Sequence, residues 1–236
     1  MQNETHNEPH TGSVGANLNA LRAAVLGAND GIVSVAALVV GIAGASSVGE
    51  NLLAAGVAGL LAGALSMAVG EYVSVSTQRD TERALLAKER HELAHEPERE
   101  LEELTGLYEA KGLSRDTAER VARELTAHDA FGAHTDIELG IDPNKLTSPL
   151  AAALSSAAAF TVGAIIPIIA ITLPPAPLRI PVTFIAVFFA LILTGTLSAY
   201  AGGASKRVAA LRVVIGGVLA MAITFGIGKL FGNLPL

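Results

Sequence analysis

Cysteine and tryptophan are both absent from this chain of 236 residues. Without cysteine, the chain cannot form a disulfide, a thiolate metal site or a cysteine nucleophile, so any metal ligands must be Asp, Glu, His or Met. Charge is scarce as well: charged residues make up 16% of the chain, hydrophobic residues 51%, and the mean hydropathy is +0.49. Soluble domains usually carry about 25% charged residues, so this composition indicates a membrane protein.

Most of the charges lie in a single block. Residues 79–145 contain 17 acidic and 10 basic residues, whereas the rest of the chain contains 5 acidic and 6 basic ones. The net charge of −6 therefore comes from this block alone. The first twenty residues are polar and lack the cationic flank and apolar core of a secretory signal, so we predict a disordered tail over residues 1–20.

Five stretches are long and apolar enough to cross a bilayer as helices, which takes about 20 residues each. They are residues 23–47, 52–75, 150–173, 182–203 and 208–230. The distribution of Lys and Arg around them predicts that the N-terminus and the segment between spans two and three are cytoplasmic, and that the C-terminus faces out. The predicted fold is an all-α integral membrane protein with transmembrane regions 21–78 and 148–236 and a cytoplasmic helical insert over 79–147.

The insert shows no alternation typical of strands, and its breakers divide it into helices. Span two should continue as one helix to about Glu96, because Pro97 disfavours helical geometry in the residue before it. A second helix should end at Gly112, and Ser114 is a plausible N-cap for a third that ends near Gly132. A short helical piece over residues 135–140 then leads back to the membrane.

Two acidic residues lie inside the predicted spans. Asp30 follows Arg22 by eight residues and Glu71 precedes Arg79 by eight, so each lies about 12 Å into the membrane on the cytoplasmic side. Met67 is one turn from Glu71 and shares its helix face. Because an ionised side chain in a membrane is costly and by default marks an ion path, these three residues predict a cation pathway. The thioether favours iron or another first-row transition metal only slightly.

On the insert, Glu89, Glu92 and Glu96 recur every three or four residues and share one helix face, and Glu100 and Glu103 repeat the spacing after Pro97. The stripe is compatible with a metal site, but its spacing alone favours a solvated face held by salt bridges. Further along, His134 and Glu138 are one turn apart, and imidazole with carboxylate suits Fe, Mn or Zn.

Glu92 and His95 also form a Glu-x-x-His unit, as in diiron bundles. A diiron bundle needs two such units on four long helices, so we expect no oxidase and no enzyme.

These motifs, in their order, resemble the vacuolar iron transporter family, with the match running from about Leu21 to the C-terminus and suggesting a prokaryote-type member. The segments that carry the resemblance are Gly27-Ala28-Asn29-Asp30-Gly31-Ile32-Val33, Ser66-Met67-Ala68-Val69-Gly70-Glu71-Tyr72, the glutamate-rich insert and Ile137-Glu138-Leu139-Gly140-Ile141.

The resemblance implies a homodimer of five-helix subunits that moves Fe²⁺ or Mn²⁺ out of the cytosol, with protons as counter-ion. It implies that Asp30, Met67 and Glu71 form the membrane pathway, and that the following carboxylates form a cytoplasmic metal-binding domain: Glu89, Glu92, Glu100, Glu103 and Glu138. Plant members have methionine where His134 stands. An imidazole at this position would bind metal only when neutral, so capture should weaken in acid.

The alternative function is a membrane-anchored metal sensor or buffer without transport, but such an anchor needs neither five spans nor acids at matched depth. We expect no prosthetic group and no nucleic-acid partner. The protein should lie in the cell membrane of a prokaryote or the vacuolar membrane of a eukaryote.

Overall fold

The computed structural model describes residues 13–45 and 51–233, and within them the chain is helical, with no β-strand. The seven α-helices in these ranges are α1 (Ser13–Ala45), α2 (Leu52–His95), α3 (Pro97–Ala110), α4 (Arg115–His134), α5 (Pro149–Thr172), α6 (Arg179–Ala201) and α7 (Lys206–Gly232). A π-helical turn, Thr135–Leu139, follows α4, and a 3₁₀ turn, Ala176–Leu178, precedes α6.

Five of these helices are long and apolar enough to cross a membrane, which confirms the predicted fold class. They are α1, α2, α5, α6 and α7. The 24 residues of α5 extend for about 36 Å, against a hydrocarbon core of about 30 Å. By the same measure the 44 residues of α2 extend for about 66 Å, so only its apolar first half is needed to span.

The chain divides into two compact units. The first contains α1, the start of α2 up to Val73, and α5 to α7; the second is Ser74–Ser148, with the polar end of α2, α3, α4 and the π turn. The second unit includes all the residues of the predicted insert, 79–147.

Within the first unit, α1 is central and packs against α5, α6 and α7. Its core face is the buried row Ile32, Val35, Ala36 and Val39, spaced by three and four residues. The contact with α5 is close because Gly31 lies against that helix's backbone: a Cβ at Gly31 would be 2.1 Å from the carbonyl oxygen of Phe160. Small residues permit this approach between membrane helices.

The apolar half of α2 is less enclosed. Gly63 lies against the Phe160 ring, where an added Cβ would be 2.1 Å from Cζ. On another face, Leu53, Val57, Leu61 and Leu65 follow one another every four residues and are all exposed. This row is free to meet lipid or a second chain.

The structure differs from the sequence prediction at the start of the chain. Residues 13–20 belong to α1, although a disordered tail was predicted over residues 1–20. The reason is local: Ala16, Leu18, Ala20 and Leu21 favour helix and continue into the first span without a breaker. Residues 1–12 lie outside the described residues.

The bounds predicted for the helices of the insert are close to those observed in the second unit. The long helix α2 ends at His95, before Pro97, and α3 is followed by Gly112 in a left-handed conformation with φ +100°. One feature was not predicted: Asp129 interrupts α4 with φ −158° and ψ 89°. Its Oδ1 accepts a hydrogen bond from the Gly132 N–H at 2.9 Å and so caps the last turn of the helix.

Candidate metal centre and membrane cleft

The second unit contains a buried cluster of two carboxylates and one imidazole. Glu89 of α2 and Glu100 of α3 are each 3% exposed, and His134 at the end of α4 is fully buried. One potential ligand atom from each residue lies within 4.8 Å of the others. Among the described residues, this is the single group of three or more such side chains positioned to hold a metal ion.

Three buried polar atoms of this cluster lack hydrogen-bond partners, namely Glu89 Oε1 and both ring nitrogens of His134. His134 Nδ1 lies 3.0 Å from Glu89 Oε1, but the two do not form a hydrogen bond of acceptable geometry. The same nitrogen lies 3.7 Å from Glu100 Oε2 and 3.7 Å from Glu138 Oε2, and His134 Nε2 is also unpartnered. A buried polar group without a partner costs about 1–3 kcal/mol, so these side chains are poised to coordinate a cation rather than to stabilise the fold.

The electrostatics of the cluster lead to the same conclusion. Burial, followed by the charges of Glu138 and Glu100, raises the pKa of Glu89 to about 7. Burial and the charge of Glu103 also raise the pKa of Glu100, while His134 acts in the opposite direction. A divalent cation would reverse these effects because it neutralises the repulsion between the carboxylates.

Interruptions of the helices explain how residues that are distant in sequence meet. The helix ends before Pro97, and Glu96 adopts a non-helical conformation (φ −131°, ψ 45°), which separates the directions of α2 and α3. Glu89 and Glu100 therefore approach each other from two helices. The break at Asp129 changes the direction of the last turn of α4, which carries His134. The π turn that follows places Glu138 one turn beyond His134.

The packing separates the glutamates of the α2 stripe into two groups. One contributes to the candidate metal site, and the others lie on a solvated face with salt bridges. Glu89 is inside, whereas Glu92 forms an ion pair with Lys88 at 2.8 Å and Glu96 forms one with Arg99 at 2.7 Å. Such surface pairs contribute little to stability.

Glu92 and Glu103 nevertheless lie near enough for their charges to raise the pKa of Glu89. Glu103 is itself exposed. The two residues surround the buried cluster without belonging to it.

In the first unit, Asp30 of α1 and Met67 of α2 line one cleft of about 220 Å³. The structure thus brings together two of the three predicted pathway residues. Glu71 does not line the cleft; it is half-buried, one turn along α2 from Met67.

Sequence reasoning missed two polar residues of the cleft, Ser34 and Ser66. Ser34 donates a hydrogen bond to the carbonyl oxygen of Asp30 at 2.5 Å, one turn away. A signal was present, because Ser34 is four residues from Asp30 and Ser66 adjoins Met67. The hydroxyl oxygens of these serines are hard potential metal ligands beside the carboxylate of Asp30 and the thioether of Met67.

A further contact could not have been found from sequence. Thr194 of α6 donates a hydrogen bond to Asn29 Oδ1 at 2.6 Å, across 165 residues of chain. The three residues of the segment Asn29-Asp30-Gly31 thus have different surroundings. Asn29 is hydrogen-bonded to α6, Asp30 lines the cleft and Gly31 contacts α5.

Five apolar helices and a polar helical unit with a buried carboxylate–imidazole cluster define a class of molecule: a multi-pass membrane protein that handles metal ions. The comparisons with known proteins specify the family. A sequence model of the VIT family matches residues 21–229. The chain belongs to this family.

Named relatives agree. A vacuolar iron transporter of Acanthamoeba castellanii is 47% identical over 230 residues, which cover 97% of this chain and 85% of that protein. Vacuolar iron transporter homolog 4 of Arabidopsis thaliana is 39% identical, covering 90% of this chain and 84% of its own length. Vacuolar iron transporter homolog 1 of Oryza sativa subsp. japonica is 37% identical, covering 90% and 74%. These matches support a membrane metal transporter and confirm the resemblance found in the sequence.

Proposed function

We propose that this protein exports Fe²⁺ or Mn²⁺ from the cytosol in exchange for protons and performs no chemical conversion. The observation that carries the proposal is the buried cluster of Glu89, Glu100 and His134, whose ligand atoms converge. In this cluster Glu89 Oε1 and both ring nitrogens of His134 have no hydrogen-bond partner. Two carboxylates and an imidazole, with Glu138 at the edge, suit Fe²⁺ or Mn²⁺ better than the softer ions that prefer thiolates.

The second unit then captures the metal. The raised pKa of Glu89 makes capture a competition between one proton and one cation for the same oxygens. Glu92 and Glu103 add negative charge around the cluster and so attract divalent cations to it.

The cleft of the first unit provides the membrane pathway. Asp30 and Met67 line it, and Glu71 follows Met67 by one turn of α2. The cation moves to these ligands, and protonation of Asp30 and Glu71 from the far side releases it. An ionisable residue inside a membrane helix has few other roles.

The N-terminus and the metal-binding unit face the cytosol, as the positive-inside rule predicts. The protein resides in the cell membrane if the owner is prokaryotic and in the vacuolar membrane if it is eukaryotic.

The functional state is a homodimer that uses the exposed apolar row of α2. Since the chain has no cysteine, Leu61→Cys should give a disulfide-linked dimer in the membrane, whereas Ile215→Cys on the exposed face of α7 should not. Linkage through both positions alike, or through neither, would contradict this arrangement.

Transport is tested in proteoliposomes loaded with a pH-sensitive dye. Addition of Fe²⁺ or Mn²⁺ should drive proton movement with the parent protein, and Asp30→Ala or Glu71→Ala should abolish it. Asp80→Ala, an exposed acid on the polar part of α2, is the matched control and should transport normally. Unchanged transport by the Asp30 and Glu71 variants would refute the pathway, and metal uptake without proton movement would refute antiport.

Capture is tested separately. Replacing Glu100 and Glu103 together by alanine should reduce metal binding by the second unit while leaving the membrane helices folded. A variant that binds no metal yet transports at the parent rate would show that capture is not part of the cycle. Metal binding that persists in a protein without any transport would instead favour the sensor or buffer.

A further inference from the structure

The exposed side of α2 carries a pair of histidines that the proposed function does not use. His91 and His95 are four residues apart, both are exposed, and their ring centroids lie 4.0 Å from each other with an angle of 33° between the planes. Two nitrogens that bind one ion at 2.0–2.1 Å are about 3 Å apart, so small side-chain rotations bring these rings to a shared ion.

The hydrogen bonding of His95 leaves the appropriate nitrogen available. Its Nδ1 lies 2.7 Å from the carbonyl oxygen of His91. A carbonyl only accepts, so Nδ1 carries the proton and the lone pair of the neutral ring is on Nε2. A backbone carbonyl that orients a histidine through one nitrogen while the other binds metal is a common arrangement around metal ions.

The pair lies on a different face of α2 from the buried cluster. At about 100° per residue, His91 and His95 are about 200° and 240° around the helix from Glu89. The exposed pair and the buried cluster are therefore separate sites on one helix. They can be occupied independently.

The segment His91-Glu92-Leu93-Ala94-His95 also matches the His-Glu-x-x-His pattern, in which two histidines on one helix face bind zinc and the glutamate acts as a base. The chemistry of hydrolysis is not supported, because Glu92 is held by Lys88 at 2.8 Å. Among the described residues, no third Asp, Glu or His completes a cluster with the pair. Water would fill the remaining positions, and the ion would exchange readily.

We propose that His91 and His95 form an exposed bis-imidazole site for divalent ions that favour nitrogen ligands, namely Zn²⁺, Cu²⁺ and Ni²⁺. Imidazole suits these ions, and affinity rises from Mn²⁺ and Fe²⁺ toward Cu²⁺. The pair thus has a different metal preference from the carboxylate-rich cluster. The site stands independently of the proposed transport function.

The test measures Zn²⁺ binding to the full-length protein in detergent at pH 7.5, by competition with a chromophoric chelator. The double variant His91→Asn with His95→Asn should lose one Zn²⁺ equivalent. Each single variant should lower affinity at that site by about tenfold or more, because a chelate needs both rings. Mn²⁺ binding and the far-UV circular dichroism should not change, which separates loss of the site from loss of the fold.

Two controls address the other histidines. His128→Asn removes a lone exposed imidazole of the same unit, and replacing His6 and His10 together removes those near the N-terminus. Both should keep the Zn²⁺ equivalent. Cu²⁺ added at one equivalent should show nitrogen hyperfine structure in its electron paramagnetic resonance spectrum, and the double variant should lose it. Parent-like Zn²⁺ binding by the double variant, or loss of the equivalent in either control, would overturn the proposal.

Discussion

Acidification from pH 8 to pH 6 should weaken Mn²⁺ binding at the buried cluster, because a proton and the cation compete for Glu89. Burial and neighbouring carboxylates raise the pKa of this side chain to about 7. Only the ionised form offers its full charge to a cation. The carboxyl is therefore free to bind at pH 8 and mostly protonated at pH 6.

The size of the effect follows from that pKa. If binding needs ionised Glu89, the apparent dissociation constant rises by a factor of 1 + 10^(7−pH), which is about 1.1 at pH 8 and about 11 at pH 6. Affinity should therefore fall about tenfold over this range, with most of the change below pH 7. A carboxyl with the ordinary pKa of about 4.3 would give almost no change.

The assay uses the electron paramagnetic resonance signal of free aqueous Mn²⁺, which disappears on binding. Titrations of the full-length protein at pH 6, 7 and 8 give the dissociation constant directly. At pH 8, Glu89→Gln should bind Mn²⁺ at least about tenfold more weakly, because the amide oxygen is a neutral donor.

The matched control is Glu98→Gln, which removes one negative charge from an exposed position of α3. It should retain the affinity and pH dependence of the parent. The reasoning is refuted if the parent binds equally well at pH 6 and pH 8, or if Glu89→Gln keeps the parent's affinity and pH dependence.

Other perturbations test the packing and the cluster. Gly31→Ala should destabilise the protein by about 1–3 kcal/mol or more, because its Cβ would overlap the α5 backbone, whereas Gly216→Ala, with open space around it, should leave Tm nearly unchanged. His134→Ala should lower the Mn²⁺ affinity at pH 8, while His128→Ala, exposed on α4, should not. Thr194→Val removes the hydrogen bond to the asparagine of α1 and should cost about 0.6 kcal/mol, measured by thermal unfolding in detergent. For the metal-free protein, Glu89 binds its proton more tightly when folded, so its stabilising contribution is complete below about pH 4.5 and is lost as the pH rises to about 7; Tm should fall over that window.

Much of the fold could be predicted from the sequence because it depends on local properties. Length and apolar composition determine which helices can cross a bilayer, and the five spans are confirmed. Pro97 and Gly112 end helices through their own backbone geometry, so the divisions of the insert were also predictable. The start of α1 was not, because the polar composition of its first residues favoured disorder.

The candidate sites, too, could be predicted from the sequence only where they depend on local spacing. The spacing of His134 and Glu138 predicted that they share a helix face, and the structure places them close together. Matched depths suggested that Asp30 and Glu71 belong together, but the structure places Asp30 with Met67 in the cleft and leaves Glu71 outside its lining. Helical spacing alone, however, cannot distinguish Glu89 from Glu92 as a candidate ligand, because both lie on the same face of the helix. Only the packing of α3 and α4 makes Glu89 buried and leaves Glu92 paired with a lysine at the surface.

The sequence by itself thus determined which helices form and which residue types share each face, since helix periodicity and transfer into a bilayer depend on neighbours along the chain. The tertiary structure decided which of those residues lose water and which meet across the fold. Glu100 reaching His134 and Thr194 reaching Asn29 depend on contacts between distant segments. Desolvation and charge repulsion arise only when such segments pack, so the chemistry of Glu89 is a property of the folded molecule.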